Sequence, residues 1–390
     1  MAAIAFAAQG TANESEAPKV RAVRTAIVNT FIPNSMLPMG VVRVGEKELI
    51  AAFIDGADIK PGSAGYLVRS TDLGKTWSKP FHTMKSDLPN VGTAIAIASL
   101  PNGDLLLTEM VETYLSDDPS WDAVFKGHTT EFRLKRSSDG GKTFVDDGVL
   151  PLPKKCSAGI MGTVAVLANG DLIMPGFQYP GVSPREEGFQ YGSGFFRSRD
   201  GGKTWGRMEV AFKDPVEGRE NPLGFNEAAY FLNKNGTVIA YARIDSERKD
   251  TALDVGNQKA VWPVDGNNLW VVESTDHGAT WSEPKETNIG GLFPAIVRLA
   301  DDRYLMVCGN RHSKPSRTTY YYTSRDGYNF KFGGTAPYTR TNGVPDGNNG
   351  GSHSLVVIDE NHAYLTYYGA DAKLGTANNT YIEGVLLKVD

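Results

Sequence analysis

Cysteine is nearly absent: Cys156 and Cys308 are the only two in 390 residues. They lie in separate segments, which excludes a disulfide-stapled scaffold and a zinc-site spacing, and leaves two reduced, buried thiols as the expectation. Also missing is any run approaching the ~20 apolar residues that cross a bilayer, so no membrane insertion is expected. There is no long run of one charge either. The 40 basic and 45 acidic residues sum to −5, leaving no basic stripe to follow phosphates, so nucleic acid is not an expected partner.

Glycine and proline are plentiful, with 43 and 21 residues spread beside apolar runs. That distribution calls for many tight turns rather than for disorder. Length alone would suggest two or three domains at ~150 residues each, but closed all-β folds run longer. No linker divides the chain, so residues 21–390 read as one domain behind an N-terminal stretch, 1–20. That stretch is apolar and then polar, and reads either as disordered or as the tail of a secretory signal ending near Ala5-Phe6-Ala7. A secreted or periplasmic location is the expectation from it, with the cytoplasm left open. Asn13, Asn235 and Asn378 open N-x-S/T triplets that permit glycosylation.

A short turn signature, S-x-D-x-G-x-x-W/F, recurs five times. It runs Ser70–Trp77, Ser137–Phe144, Ser198–Trp205 and Ser274–Trp281, and in degenerate form Ser324–Phe330. The aspartates are 67, 61, 76 and 50 residues apart, a spacing that suits one propeller blade plus its loops. Aspartate accepts from backbone N–H groups, glycine permits φ > 0, and the aromatic packs between sheets. Each signature offers one carboxylate, so the repeats do not form metal sites, and no cofactor or metal is expected.

Upstream of each signature lies a pair of apolar strands around a polar turn: 40–53, 94–108, 163–175, 228–242 and 295–308. Asn102-Gly103, Asn169-Gly170 and Asn235-Gly236 supply hairpin chemistry. The pair returns at 354–367 with no signature after it. Five signatures and six pairs predict an all-β, six-bladed β-propeller with Asp-box repeats, closed by pairing 381–389 with 21–28.

In such a ring, the start of each innermost strand and the end of the second strand open on one face. The signatures lie toward the other. This sorting gathers charged and polar residues on one rim: Asp55 and Asp58, Glu109 and Glu112, Gln178 and Tyr179, Glu227 and Arg243, Arg311, His312 and Arg317, and His353 with Tyr367 and Tyr368. Paired carboxylates suit glycosidic cleavage, one as acid and one as base or nucleophile. Arginines suit a substrate carboxylate. Glu227 opens an apolar strand, where a charge needs a partner or a function, and Arg243 either binds substrate or pairs with it. Asp55 or Asp58 is the candidate acid, with Glu109 and Glu112 as further carboxylates. His312 and His353 could shuttle a proton or sit hydrogen-bonded in the rim. Tyr179 and Tyr368 offer stacking faces.

These residues resemble the sialidase, or neuraminidase, superfamily of six-bladed propellers over roughly 30–385. The segment Phe225-Asn226-Glu227-Ala228-Ala229-Tyr230, followed by an Asn-Gly turn and Tyr241-Ala242-Arg243, is similar to the one bearing the family's nucleophile-assisting glutamate and a carboxylate-binding arginine. The resemblance implies an acid/base aspartate at Asp55 or Asp58 and a third triad arginine at Arg317. Two family signals are missing. Met36-Leu37-Pro38 stands where the family has Arg-Ile-Pro, and no tyrosine stands at Ser352-His353-Ser354, near which the nucleophilic tyrosine would lie. The expected function is a glycoside hydrolase of sialidase-like fold, acting on a terminal or acidic sugar of a glycan or polysaccharide. A non-catalytic carbohydrate- or protein-binding propeller and a uronate-cleaving polysaccharide lyase are the alternatives.

Overall fold

The computed structural model describes residues 19–56, 59–115, 117, 128–152, 156–180, 192–213, 224–245, 252–255, 258–261, 268–310, 318–339, 352–370 and 380–390. Six antiparallel sheets, each four strands deep, follow one another along the chain as the blades of a β-propeller. Blade 2 shows the plan: Val91–Ser99, Leu105–Tyr114, His128–Ser137 and Val145–Val149, from the axis outward. The innermost strand, Val-Gly-Thr-Ala-Ile-Ala-Ile-Ala-Ser, is buried on both faces except at its last residue. Small and β-branched residues without polar alternation suit a strand covered on both sides. The outermost strand leaves Val145 and Val149 exposed.

Blade 6 is assembled from both ends of the chain. Its inner strands His353–Val357 and His362–Ala370 continue into Thr380–Val389, and the fourth place is taken by Val20–Ile27, paired antiparallel from Val20↔Val389 to Ile27↔Glu383. Arg21 closes the seam with two bonds to the Asp390 carboxylate, at 2.6 and 2.7 Å. The closure explains why five signatures serve six blades. Each signature lies in the turn from third to fourth strand, and in blade 6 that turn does not exist.

All five signature turns share one geometry. In the first, Ser70 Oγ donates to Asp72 Oδ1 while accepting from the Gly74 N–H, and Asp72 also accepts from the Lys75 and Thr76 N–H groups and the Thr76 hydroxyl. The degenerate turn keeps this with Asn329 in place of threonine. Desolvation raises the carboxyl pKa of Asp72 and Asp326, but these donors outweigh it and hold both at about 2. Asp139, Asp200 and Asp276 are held below the ordinary range too, by the hydroxyls of Thr143, Thr204 and Thr280 first. A pKa lowered on folding stabilises above the unfolded value of about 4, and that stabilisation is lost as pH falls through the folded value. The urea midpoint should therefore drop between pH 5 and pH 2.5, by less in Asp72→Asn; a flat midpoint would contradict the role of these turns.

Each blade also reaches forward to the next. Arg69 donates to the carbonyls of Gly140 and Gly141 at 2.8 and 3.0 Å, Arg136 to Gly202, Arg197 to His277 at 2.9 Å and Tyr241 to Gly327 at 3.0 Å. From blade 6, Tyr364 and Arg24 reach Gly74 and Leu73 of blade 1. Where blade 6 lacks a signature, Arg303 of blade 5 binds the carbonyls of Val389 and Asp390 instead, at 3.0 and 2.8 Å. The contact is tight enough to demand glycine at Gly74, where φ is +75° and a Cβ would lie 2.3 Å from the Tyr364 ring. Gly74→Ala should cost about 1–3 kcal/mol. Gly103→Ala, equally left-handed at φ +88° but with open space around it, should cost less in the same thermal melts.

The sequence places the blade 3 pair at 163–175. The innermost strand instead starts earlier, as Cys156–Ile160, and resumes only at Ala165–Val166. Blade 1 is interrupted in the same way between Ser35–Met36 and Val41–Arg43. There the Met39 carbonyl accepts from Ile97 N of blade 2 at 3.0 Å. The Gly40 N–H donates to Ser354 Oγ of blade 6 at 2.7 Å, and that hydroxyl donates to the Pro38 carbonyl at 2.9 Å. Residues 37–40 thus bridge the innermost strands of neighbouring blades. Gly40 is required by its φ of +130° and by the Ile97 carbonyl, 2.1 Å from where a Cβ would stand.

Candidate functional site

The topology opens the second-to-third connections and the starts of the innermost strands on one face, opposite the five signature turns. On that rim, blade 4 carries the clearest device. Phe225 pairs with Ile244 and Ala228 with Ala242, so Asn226 and Glu227 together face Arg243. Two residues against one is a β-bulge, which re-aims side chains at a sheet end. The Asn226 side chain accepts from the Glu227 N–H at 2.8 Å, fixing the bulge. Arg243 Nη1 donates to Glu227 Oε1 at 3.1 Å, and the two side chains stay 16% and 14% exposed. The pair is sheltered enough to be strong and open enough to meet a ligand.

Blade 5 has a bulge at the corresponding place, between Leu292↔Gly309 and Ala295↔Val307. Phe293 sits there at φ +53°, and its carbonyl accepts from His353 Nδ1 at 3.2 Å. His353 Nε2 lies 2.8 Å from Thr319 Oγ1, whose oxygen is 2.8 Å from the Tyr338 hydroxyl. With both ring nitrogens engaged and 3% exposure, His353 is a hydrogen-bonded residue of the blade 5–6 junction.

The other carboxylates are held by the protein. Asp55 Oδ1 accepts from Ala64 N at 2.7 Å and Oδ2 from the Tyr66 hydroxyl at 3.0 Å. Glu109 lies between blades 1 and 2, 3.4 Å from Lys135 Nζ and 3.7 Å from His82 Nε2. Burial raises its pKa, but His82 and Lys135 outweigh it and bring the carboxyl below its usual range. Glu112 is buried beside Tyr114 and His128. Glu109 is thus an ion-paired group between sheets.

Tyr368 is fully buried with Phe53, Met36 and Ile382 between blades 6 and 1, so it packs the core. Tyr367 is equally buried. Gln178 ends the second strand of blade 3 opposite Ala158 and Gly192, and Tyr179 follows it there. Asp58, Arg311, His312 and Arg317 lie outside the described residues.

Met36, standing where the resemblance would put an arginine, is 3% exposed in the same apolar cluster. The sequence reading missed Tyr114, His128, Ser157, Thr319, Tyr338 and the fully buried Glu383. Glu383 accepts from the Thr339 N–H and hydroxyl at 3.2 and 2.7 Å. It could have been found by the argument that singled out Glu227, since it is a charge inside an apolar strand. Among the described residues no cluster of histidine, cysteine and carboxylate groups could hold a metal ion, and no helix is long and apolar enough to cross a membrane.

The fold is that of a recognised structural class, the six-bladed propellers related at low identity to sialidases. A Dyadobacter fermentans protein of unknown function is 20% identical, with a TM-score of 0.69 over 96% of this chain and 100% of its own. The Hadza microbial sialidase Hz136 is 16% identical, with a TM-score of 0.62 over 91% of this chain and 66% of its own. The NanB sialidase from Streptococcus pneumoniae is 11% identical, with a TM-score of 0.59 over 92% and 68%. No protein-family model and no curated relative matches the sequence.

Proposed function

We propose that the chain is a glycoside hydrolase of sialidase-like fold, acting on a terminal or acidic sugar of a glycan or polysaccharide. The observation that carries this is the Glu227–Arg243 pair on its bulge at the open rim. A carboxylate fixed by one guanidinium, and still partly exposed, suits acid/base assistance to glycosidic cleavage, while the arginine has further donors for an acidic sugar. The five signature turns are read as the Asp-box repeats of this class, serving as turn hardware on the far face. Structural kinship with two sialidases supports the fold side of the reading. The chemistry rests on the site.

Two features depart from the sialidase mechanism: buried Met36 in place of an arginine, and His353 near the position expected for a nucleophilic tyrosine. They favour a mechanism that relies on carboxylates over one that relies on a tyrosine nucleophile. A binding module is the second reading, favoured by the commitment of Asp55 and Glu109 to protein partners. Purified protein assayed on sialosides, arabinans and uronate-containing glycans separates the two. Released reducing sugar supports the hydrolase, and new absorbance from an unsaturated uronate would replace it with a lyase. Saturable glycan binding without turnover, unchanged in Glu227→Gln, would establish the binding module.

A further inference from the structure

Blade 1's second-to-third connection crosses onto blade 2. The Gly62 N–H donates to the Val91 carbonyl at 2.9 Å, and the Thr93 N–H and hydroxyl both donate to the Ser63 carbonyl at 3.0 Å. The Lys60 carbonyl comes so near Gly92 that a Cβ there would lie 2.3 Å from it. The connection ends at Ala64, whose N–H holds Asp55 Oδ1. Its backbone path therefore sets where the Asp55 carboxylate points.

One side chain grips the start of this connection. The Tyr114 hydroxyl donates to the Ile59 carbonyl at 2.7 Å and also lies against Glu112 Oε2. Glu112 Oε2 is 3.6 Å from His128 Nε2, and that nitrogen is 2.5 Å from Ser157 Oγ. The Tyr114 and His128 rings lie 4.9 Å apart between centres, tilted by 36°. Glu112, Tyr114, His128 and Ser157 are 6%, 2%, 4% and 0% exposed. Tyr114 ends the second strand of blade 2, His128 opens its third, and Ser157 lies on the innermost strand of blade 3. The cluster therefore joins two blades, and through the Ile59 carbonyl it reaches blade 1.

Serine, histidine and glutamate together invite comparison with a nucleophilic triad, but the geometry rules it out. Serine and glutamate approach the same ring nitrogen, whereas a triad needs them on opposite ones. Ser157 is also sealed from solvent. A buried, mutually bonded polar chain has another use: it fixes the groups at its end in one place.

We propose that Tyr114, aimed by Glu112 and backed by His128 and Ser157, is a positioning residue for the rim, holding the Ile59–Ala64 connection and through it the Asp55 carboxylate. Glu112 then acts through Tyr114 and not on a substrate. This rests on the rim being the working face, as the proposed function requires, but its test needs no turnover.

The test is amide hydrogen exchange, resolved by residue, in wild type, Tyr114→Phe and Glu112→Gln. Phenylalanine keeps the ring in the core and removes only the hydroxyl; glutamine keeps the size of the side chain and removes its charge. In Tyr114→Phe, Gly62 and Ala64 should exchange at least about tenfold faster. Ile97 and Leu107, deeper in the same blade, should stay as in wild type. Glu112→Gln should give a smaller increase at the same two amides. Wild-type exchange at Gly62 and Ala64 in a folded Tyr114→Phe protein would overturn the assignment, as would acceleration spread evenly over blade 2. If Tyr114→Phe does not fold, the assignment stands or falls on Glu112→Gln at the same amides. An inactive wild type would sink the hydrolase reading and leave this result intact.

Discussion

Removing residues 380–390 is expected to leave no folded protein: circular dichroism should show no cooperative melt, and the chain should be proteolysed throughout. The strand lost carries five fully or nearly buried aliphatic side chains, Ile382, Val385, Leu386, Leu387 and Val389. At roughly 1.5–3 kcal/mol each, their burial contributes at most about 8–15 kcal/mol. A whole domain is stable by only about 5–15 kcal/mol. The deletion also strips Val20–Ile27 of its partner and leaves the buried Arg303 guanidinium without the Val389 and Asp390 carbonyls. Arg21→Ala is the mild counterpart. It removes only an exposed ion pair with Asp390, and solvent-screened surface pairs contribute little. A folded truncated protein would mean that blade 6 is dispensable, against the topology.

The second large effect concerns Glu227. On any substrate the assay panel identifies, Glu227→Gln should lower kcat by about 10²–10⁴-fold, with the melting temperature close to wild type. Glutamine keeps the size of the side chain and an acceptor for Arg243 but can neither carry charge nor exchange a proton. Arg243→Ala should act differently. It leaves the Glu227 carboxylate, 14% exposed, without this cation, so stability and KM should both worsen. Equal turnover by wild type and Glu227→Gln would remove the carboxylate from the chemistry and return the rim to a binding role.

Much of the fold was legible because its determinants are local. Ser70, Asp72 and Gly74 close their own turn within five residues, so the motif announces itself wherever it stands. The number of blades followed from a repeated strand pair, although the reason for the missing sixth signature came only with the N-terminal strand seen beside Thr380–Val389. The interrupted blade 3 strand was not legible. The sequence reading began the pair at 163, yet Gly162 stands where a Cβ would lie 2.0 Å from the Met39 carbonyl of another blade, a contact with no local signature.

The site was legible where a charge interrupts an apolar run, as at Glu227. It was not legible where two acidic residues share a strand, because sequence cannot tell which sheet face meets a partner. Glu109 pairs with Lys135 two positions beyond its register partner Arg133, and with His82 from another blade. The burial of Tyr368 was not legible because strand ends at the rim look alike in sequence, whether the side chain meets solvent or the next sheet.

The forward reach of each blade has a consequence for how the molecule is made. During synthesis every donor from Arg69 to Arg303 emerges before the carbonyls it will grip, so each new blade docks on a surface already waiting for it. Among these grips, the Tyr364 hydroxyl runs backward, to Gly74, 290 positions earlier. Until blade 6 exists, the nascent arc therefore ends in two unsatisfied tips: the Leu73–Gly74 carbonyls at one and the Arg303 guanidinium at the other. The Thr380–Val389 strand that completes the ring has the same partner, Val20–Ile27, in every other copy of the chain. A crowded polysome or a slowed last segment would favour strand-exchanged dimers over closed rings.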